Sequence, residues 1–160
     1  MAPSNFERLV QLADDVFAVK NDPSQLDVND DVLAKLRQMH PATVADKDDG
    51  NGPVAWVLVI PTTLELMNRF VKGEISEKEL FDLTPIEATY EALYLCAALV
   101  LEEYRRKGIA HQLTLKAAEN IRKDHPLKCL FVWPFSNEGD ELAEIIAREI
   151  SLPLFRRQHV

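Results

Sequence analysis

The stretch EALYLCAALVLEEYRRKGIAH, residues 91–111, joins an apolar run to three basic residues and a glycine. The run at 91–101 carries no charge after Glu91 and predicts a buried strand. The residues that follow have helical periodicity and predict a helix over about 106–124. Glycine inside a helix costs ~1 kcal/mol relative to alanine. Gly108 therefore indicates a turn at which something approaches the backbone.

The sequence beyond this stretch predicts how its strand and helix are arranged. LKCLFVWPF at 127–135 predicts another strand, and NEGDELAEIIAREI at 137–150 predicts the last long helix. A strand–helix–strand unit of this length makes its two strands parallel. With one further buried strand, VAWVLVI at 54–60, the chain predicts an α+β (mixed α/β) fold in a single domain over 1–160, with a central mixed sheet flanked by helices.

Serine and threonine residues placed three positions before a glutamate predict where the helices of the first half begin. These pairs are Ser4 with Glu7, Thr62 with Glu65, and Ser76 with Glu79. The polar segment HPATVADKDDGNGP at 40–53 predicts a loop. NDPS at 21–24 is expected to end the first helix, and 151–160 to form a short strand or tail. The two helices over 62–83 form a helical insertion before the strand at 91–101.

Composition excludes several classes of protein. The formal net charge of −8 argues against non-specific nucleic-acid binding, which needs a basic face. No apolar run reaches the ~20 residues of a membrane span, and the first ten residues do not resemble a secretory signal. Cys96 and Cys129 lie in apolar runs and predict buried, reduced thiols, with neither a disulfide nor a metal site. We therefore expect a cytoplasmic protein without a membrane partner.

The turn between strand and helix has the features of an anion site. Backbone N–H groups at the start of a helix have no intrahelical partner and carry the positive end of the helix dipole. A glycine there lets a phosphate or pyrophosphate reach the amides, and Arg105, Arg106 and Lys107 would add positive charge. Two other interpretations stay open: a solvated basic helix end, and a glycine that admits a neighbouring helix. The pattern is neither a Walker A loop nor a dinucleotide-binding fingerprint.

LVLEEYRRKGIAHQL at 99–113 resembles the central motif of the GNAT superfamily of N-acetyltransferases, [Gln/Arg]-x-x-Gly-x-[Gly/Ala]. Arg105, Gly108 and Ala110 stand at its defining positions. FSNEGDELAEIIAREISLPLF at 135–155 looks like the family's next segment. The resemblance covers about 91–150, the expected acyl-CoA-binding core, and leaves 1–90 as a variable N-terminal part.

The resemblance implies an acyl-CoA-dependent N-acetyltransferase that transfers acetyl from acetyl-CoA to a small-molecule or protein amine by direct attack. Backbone amides would bind the pyrophosphate, the strand would pair with the pantetheine arm, and an asparagine would touch the cofactor. The cofactor-binding residues that the resemblance implies are Ala98, Leu99, Val100, Arg105, Arg106, Lys107, Gly108, Ile109, Ala110, His111 and Asn137. It implies no metal, and a homodimer is left open.

The sequence also departs from the family pattern. Glu144 stands where members commonly have a tyrosine acid, and Val132 stands where some have a glutamate. The C-terminal end is short, and the helices at 62–83 are expected to replace part of the usual hairpin. A catalytically silent CoA-binding or regulatory module of the same fold therefore stays open, as does an interaction domain that binds another anion.

The catalytic residues that we expect, if the chain is an enzyme, are Glu91 as base together with Tyr94 or ordered water. Burial of Glu91 beside Tyr94 and Trp56 is expected to raise its pKa. Glu102, Glu103 and His111 are expected to lie near the phosphates, and Glu144 to be a solvated carboxylate. Trp133 and Phe135 are expected in the core, with the cleft mouth as the alternative. Two roles are open for the helices over 62–83. They are expected either to form a wall on the acceptor side of the cleft or to have only a structural role, in which their apolar faces pack.

Overall fold

The computed structural model describes residues 3–20, 30–134 and 136–157, with the backbone alone for 16–20. Six α-helices and five β-strands make up this part of the chain, in mixed order. The helices are α1 (Asn5–Lys20), α2 (Asp30–Met39), α3 (Leu64–Val71), α4 (Glu77–Leu83), α5 (Ile109–Asp124) and α6 (Asn137–Ile150). The strands are β1 (Val44–Asp48), β2 (Pro53–Thr62), β3 (Ala92–Val100), β4 (Cys129–Val132) and β5 (Leu154–Arg156). The predicted stop of the first helix at 21–24 lies outside the described residues.

The five strands form one mixed sheet in the order β1-β2-β3-β4-β5. β1 and β2, and likewise β2 and β3, are antiparallel, whereas β3–β4 and β4–β5 are parallel. The predicted parallel pair joined by a helix is thus confirmed. The fold is α+β, with a mixed sheet flanked by helices, as the sequence predicts.

Helices cover both faces of the sheet because the strands alternate their apolar side chains between the two faces. Tyr94 and Ile60 belong to a core cluster that also contains residues of α2, α3 and α4. Leu93 and Val59 belong to a second cluster that contains residues of α5 and α6. Both strands are buried over most of their length, which explains their nearly continuous apolar sequences.

The first helix packs near the end of the sheet at which β3 finishes. Leu9 of α1 is fully buried against Val54, Leu99 and Leu101. Phe6 meets the ring of Trp56 edge-on, with 5.7 Å between the ring centroids. This helix therefore borders the segment that leads from β3 into the basic loop.

The prediction of a loop over 40–53 is wrong in part. Residues 41–43 form a 3-10 turn and 44–48 form β1, which pairs with β2. The hairpin expected to be partly replaced is therefore present, and α3 and α4 are inserted after it. β1 escaped the sequence patterns because it is an edge strand whose last three residues are exposed and charged.

The start of α3 differs by one residue from the prediction. Thr63, and not Thr62, caps this helix, since its hydroxyl accepts a hydrogen bond from the Leu66 amide. Thr62 is still part of β2, is fully buried, and its hydroxyl lies 2.7 Å from that of Thr84. The capping box predicted at Ser76 and Glu79 is confirmed.

Both cysteines are buried and unbridged, as predicted. Burial raises the pKa of the Cys129 thiol above its usual value, which makes this thiol a poor nucleophile. None of the helices that the structure describes has the length and hydrophobicity needed to cross a membrane.

Candidate functional site

The two central parallel strands pair over only a short distance. The β3–β4 register consists of three residue pairs and ends at Tyr94 with Phe131. β3 continues for six more residues, Leu95–Val100, and stays paired with β2 on its other side. Among the described residues, no strand pairs with the β4-facing side of Leu95–Val100, here called the open edge of β3. Ala98, one of the predicted cofactor-binding residues, is exposed within it.

A β-bulge lies at the beginning of the open edge. Leu58 pairs with Ala97 and Val59 pairs with Leu95, so that Cys96 is the extra residue of the bulge. A bulge bends the strand and changes the direction in which its backbone groups point. Here it lies two residues beyond Tyr94, where β3 and β4 separate.

The open edge leads into a loop whose backbone takes the left-handed conformation twice. Arg106 has φ +64° and Gly108 has φ +76°. A Cβ atom placed on Gly108 would meet no atom within 4 Å, so this glycine does not admit a neighbouring helix. Its use follows instead from the positive φ, which glycine adopts without the steric cost of other residues. Alternation of this kind gathers successive N–H groups into a concave anion site.

Six consecutive amides, from Arg106 to His111, donate no hydrogen bond to any other described residue. The first bond of α5 runs from the Gln112 amide to the Gly108 carbonyl, at 2.9 Å. The row of free donors therefore includes the loop and the whole first turn of the helix, the set of amides that the motif implies.

The basic side chains of the loop lie on the surface, with different contacts. Nε of Arg105 donates to the carbonyl of Val100 at 3.0 Å, which ties the loop to the end of β3. The ammonium of Lys107 lies over the ring of Tyr104, 5.3 Å from its centroid. Arg106 makes no hydrogen bond or ion pair with the rest of the described chain. Its guanidinium is thus available to an anion bound at the amides.

Acidic residues near the loop already have partners. Glu103 forms an ion pair with Arg8 at 2.5 Å, and this hydrogen bond lowers the pKa of the carboxyl. The Tyr104 hydroxyl donates to Asp49, which lowers the pKa of Asp49. His111 lies 2.7 Å from Glu149 of α6. Of these contacts, the ion pair with Arg8 offsets the negative charge of Glu103, which would otherwise disfavour an anion here.

Asn137 lies in the first turn of α6, at the carboxyl end of β4. Ser136 caps this helix, with its hydroxyl accepting from the Gly139 amide at 3.0 Å. The helices that follow β3 and β4 therefore both begin at the carboxyl ends of neighbouring parallel strands. This is the side of an α/β sheet on which ligands usually bind.

The predicted catalytic residues Glu91 and Tyr94 have separate partners. The Glu91 carboxylate lies 2.8 Å from the ammonium of Lys128 at the surface, in an ion pair that raises the pKa of the lysine. The expectation that Glu91 is buried beside Tyr94 and Trp56 is wrong. Trp56 pairs with Leu99 at the other end of β3. A contact between charged residues that precede two different strands could not be read from the local pattern.

The hydroxyl of Tyr94 donates to the carboxylate of Glu77 at 2.5 Å. Both side chains are almost inaccessible to solvent. Burial, followed by the charge of Glu77, raises the pKa of Tyr94 well above its usual value, whereas Arg157 acts in the opposite direction. Sequence reasoning missed Glu77 because its position after a helix-capping serine is ordinary for an exposed acid.

Glu144, which the sequence resemblance places at the position of a tyrosine acid, is bound by an arginine. Its carboxylate lies 2.5 Å from the guanidinium of Arg156, which also contacts Asp140 at 2.6 Å. This ion pair is half-exposed and joins α6 to β5. Trp133 is buried in the core, as its first interpretation predicted, and Phe135 lies outside the described residues.

Comparisons with protein-family models, with curated proteins and with solved structures found no match. Surface depressions between α6 and β5, and between α5 and α6, contain no residue of the open edge or the basic loop. In the described ranges, no group of three or more histidine, cysteine or acidic residues is placed to hold a metal ion. The functional interpretation therefore depends on the open edge of β3 and the row of free amides.

Proposed function

We propose that the chain is an acyl-CoA-dependent N-acetyltransferase, with acetyl-CoA as donor and an amine as acceptor. One observation carries the proposal: the open edge of β3 is followed, after five residues that include a 3-10 turn at 102–104, by six consecutive free amides, Arg106–His111. An extended ligand arm that ends in a pyrophosphate suits this combination of strand edge and amide row.

The residues present suit the phosphate end of such a ligand. The amides and the N-terminus of α5 supply donors and positive potential, and the left-handed residues Arg106 and Gly108 curve the loop around them. Arg105, Arg106 and Lys107 are all exposed at its rim. Charged donors make stronger hydrogen bonds to phosphate than neutral ones, so we infer that these side chains strengthen binding.

The open edge suits the pantetheine end. An amide-bearing arm can add to a strand edge as a peptide does, through main-chain hydrogen bonds. The bulge at Cys96 stands where the arm would end, and we infer that it turns a backbone N–H toward the thioester oxygen. A fixed N–H donor in that place would stabilise the developing negative charge on the oxygen.

Acetyl-CoA would supply an activated acetyl group, which passes to the amine as a C–N bond forms and the C–S bond breaks. CoA would leave as a thiolate and take up a proton from water, and the nitrogen would lose its proton to the base. Glu91, acting with water, is the proposed base that keeps the attacking amine neutral, and its side chain is 30% exposed. Tyr94 is the proposed alternative to water as the group that assists Glu91 in its role as base. Because Glu91 is bound to Lys128 and Tyr94 to Glu77, Glu91 and Tyr94 must each exchange a partner during the reaction.

A CoA-binding module without catalysis is the second candidate, and those same contacts favour it. Glu91 is neutralised by Lys128, Glu144 is bound by Arg156, and Tyr94 is buried against Glu77. None of the three is placed as a free acid or base. The coenzyme site is common to both candidates.

Calorimetric titration with acetyl-CoA, followed by a thiol-release assay on a panel of amines, tests the proposal. Binding with acetyl transfer to at least one amine is the expected result. Binding without transfer to any amine favours the silent module. Binding of inorganic pyrophosphate but not of CoA supports an anion-binding domain instead, and removes the proposed function.

A further inference from the structure

A guanidinium group lies between two aromatic rings on the α3–α4 face of the sheet. Cζ of Arg157 is 4.5 Å from the ring centroid of Phe70 and 4.7 Å from that of Trp133. The two rings stand almost perpendicular, at 83°, with centroids 6.1 Å apart. A cation over two ring faces is attracted by both ring quadrupoles, most strongly where water is excluded.

A carboxylate belongs to the same cluster. Tyr94 contacts the ring of Phe70, with 5.1 Å between the centroids, and its hydroxyl donates to Glu77. Nη1 of Arg157 donates to the carbonyl of Ile75, two residues before Glu77, at 2.6 Å. Two rings and a carbonyl oxygen therefore contact the guanidinium, and the Glu77 carboxylate joins the cluster through the Tyr94 hydroxyl, on whose pKa the charge of Arg157 also acts. Rings and oxygen acceptors are the kind of surroundings that stabilises an organic cation.

Arg157 is more exposed to solvent than the residues around it. Phe70, Glu77 and Trp133 are all at least 95% buried, whereas Arg157 is only partly buried. The Arg157 side chain therefore lies between the buried groups and solvent. Among the described residues, Arg157 is the side chain whose place a cation from solvent would take to contact the rings of Phe70 and Trp133.

The cluster lies beside the proposed acyl site. Tyr94 is the last residue of β3 that pairs with β4, and Trp133 follows the end of β4 directly. The cluster thus stands where the two strands separate, and α3 and α4 cover it. If acetyl-CoA binds along the open edge as proposed, these inserted helices border the acceptor.

We propose that Phe70, Trp133 and Glu77 form a binding site for a guanidinium or alkylammonium group, here called the cation site, which Arg157 fills in the free protein. This assignment rests on the proposed function: the ligand is an amine acceptor that carries a second, cationic group. The attacking nitrogen must be neutral, so the bound cation is a different group of the same molecule. The net charge of −8 favours the approach of such a ligand.

The test measures binding of 4-aminobutylguanidine, which carries both groups, with n-butylamine as the comparison. The chain has two tryptophans, Trp56 and Trp133, so that Trp56→Phe isolates the fluorescence of the cation site. Titrations are run with and without CoA, at ionic strength matched by NaCl. We expect 4-aminobutylguanidine to bind at least about tenfold more tightly than n-butylamine.

Removal of the Arg157 guanidinium is the substitution that tests the cation site most directly. Arg157→Ala should bind 4-aminobutylguanidine about tenfold more tightly than the parent, since the ligand no longer competes with Arg157. Arg156→Ala, which removes the neighbouring surface arginine, should leave the affinity unchanged. Arg157→Lys serves if Arg157→Ala does not fold, and it too should bind more tightly because lysine stacks less well on rings.

Folded Arg157 variants with no gain in affinity would overturn the cation site and show that Arg157 is a structural contact. Equal affinity for the two amines would also overturn it. CoA binding is read separately by calorimetry. Loss of CoA binding with cation binding intact would remove the proposed function and leave the cation site standing, and the reverse pattern would do the opposite.

Discussion

Arg106 and Gly108 carry the backbone conformation on which the proposed coenzyme site depends. Both have positive φ, yet only one is glycine. A non-glycine residue held in this region costs of order 1–3 kcal/mol, and such residues cluster at functional sites. Arg106 bears that cost at a position where glycine would remove it. We infer that the side chain is kept for its charge, which no described residue neutralises.

The prediction about catalysis is that Glu91 acts as the general base. Positioned general-base catalysis contributes about 10²–10⁴-fold, so Glu91→Gln should lower turnover by that order and leave CoA affinity nearly unchanged. Steady-state kinetics on a verified acceptor and calorimetry with acetyl-CoA measure the two quantities.

Glu144→Gln is the matched control, since this carboxylate is also held in a surface ion pair. It should have little effect on turnover. Full activity of Glu91→Gln together with loss of activity in Glu144→Gln would assign the base to Glu144. If both variants keep full turnover, neither carboxylate is the base.

At the level of single residues, the sequence predicted local backbone features better than the contacts that each side chain makes. Gly108 and the amides after it were predictable, because a glycine between a strand and a helix constrains its own backbone. The partners of Glu91 and Tyr94 were not, because they depend on Lys128 and Glu77, distant in sequence and brought close only by the fold.

Capping determines where the inserted helix α4 begins, and so where Glu77 lies. The Ser76 hydroxyl accepts from the Glu79 amide at 3.0 Å, and the Glu79 carboxylate accepts from the Ser76 amide at 3.1 Å. These two bonds fix the first turn, whose first residue is Glu77. The cap thus connects a short sequence signal to the proposed cation site.

Replacing the cap tests this connection. Ser76→Ala should destabilise the fold by about 1 kcal/mol, or roughly 2–4 °C in Tm for a chain of this size. Ser76→Asp keeps an acceptor at the cap and should stay close to the parent. Thermal unfolding followed by circular dichroism measures both. Equal Tm values for the two variants would show that the cap contributes nothing.

Patterns of apolar residues predicted the elements of the core and failed at the edge. β2, β3 and β4 are buried strands with few polar residues, so their sequences are distinctive. β1 contains three charged residues among five, and β2 is the strand with which it pairs; only its first two residues, Val44 and Ala45, pack against the core. The cap of α3 was displaced by one residue because a buried contact with Thr84 keeps Thr62 in β2.

Two histidines link distant parts of the chain at the end of the sheet away from the basic loop. Nδ1 of His40 accepts from the Ala42 amide, and Nε2 lies 2.6 Å from Asp124. Nδ1 of His125 accepts from the Tyr90 amide at 3.3 Å. The two rings lie 6.1 Å apart. Each ring uses Nδ1 as an acceptor, which requires that nitrogen to be unprotonated.

The stability of the whole molecule should therefore depend on pH through His125. Burial, and secondly the charge of His40, lower its pKa, while Asp124 opposes them. As the pH falls below about 6.5, the unfolded chain takes up the proton first, so stability present above that pH is lost as the pH falls through the folded pKa. Urea unfolding between about pH 7.5 and pH 5.5 should show this loss.

The matched variant for this prediction is His125→Gln. It removes the titrating ring and should lose less stability over the same pH interval than the parent, whatever its stability at neutral pH. An identical pH dependence in parent and variant would show that His125 does not contribute.

The central claim is that the row of amides at the start of α5 binds the pyrophosphate of acetyl-CoA. Gly108→Glu tests it, with Gly73→Glu as the control. Both glycines are exposed, have similar φ values of +76° and +79°, and offer open space to a side chain. The two substitutions should therefore cost similar stability, and only Gly108 lies beside the amides.

Calorimetric titration of the two variants with acetyl-CoA is the measurement. Gly73→Glu should bind as tightly as the parent. Gly108→Glu should bind about 100-fold more weakly or worse, since like charges ~4 Å apart near a protein surface repel by several kcal/mol. A folded Gly108→Glu protein that binds acetyl-CoA as tightly as the parent would contradict the account.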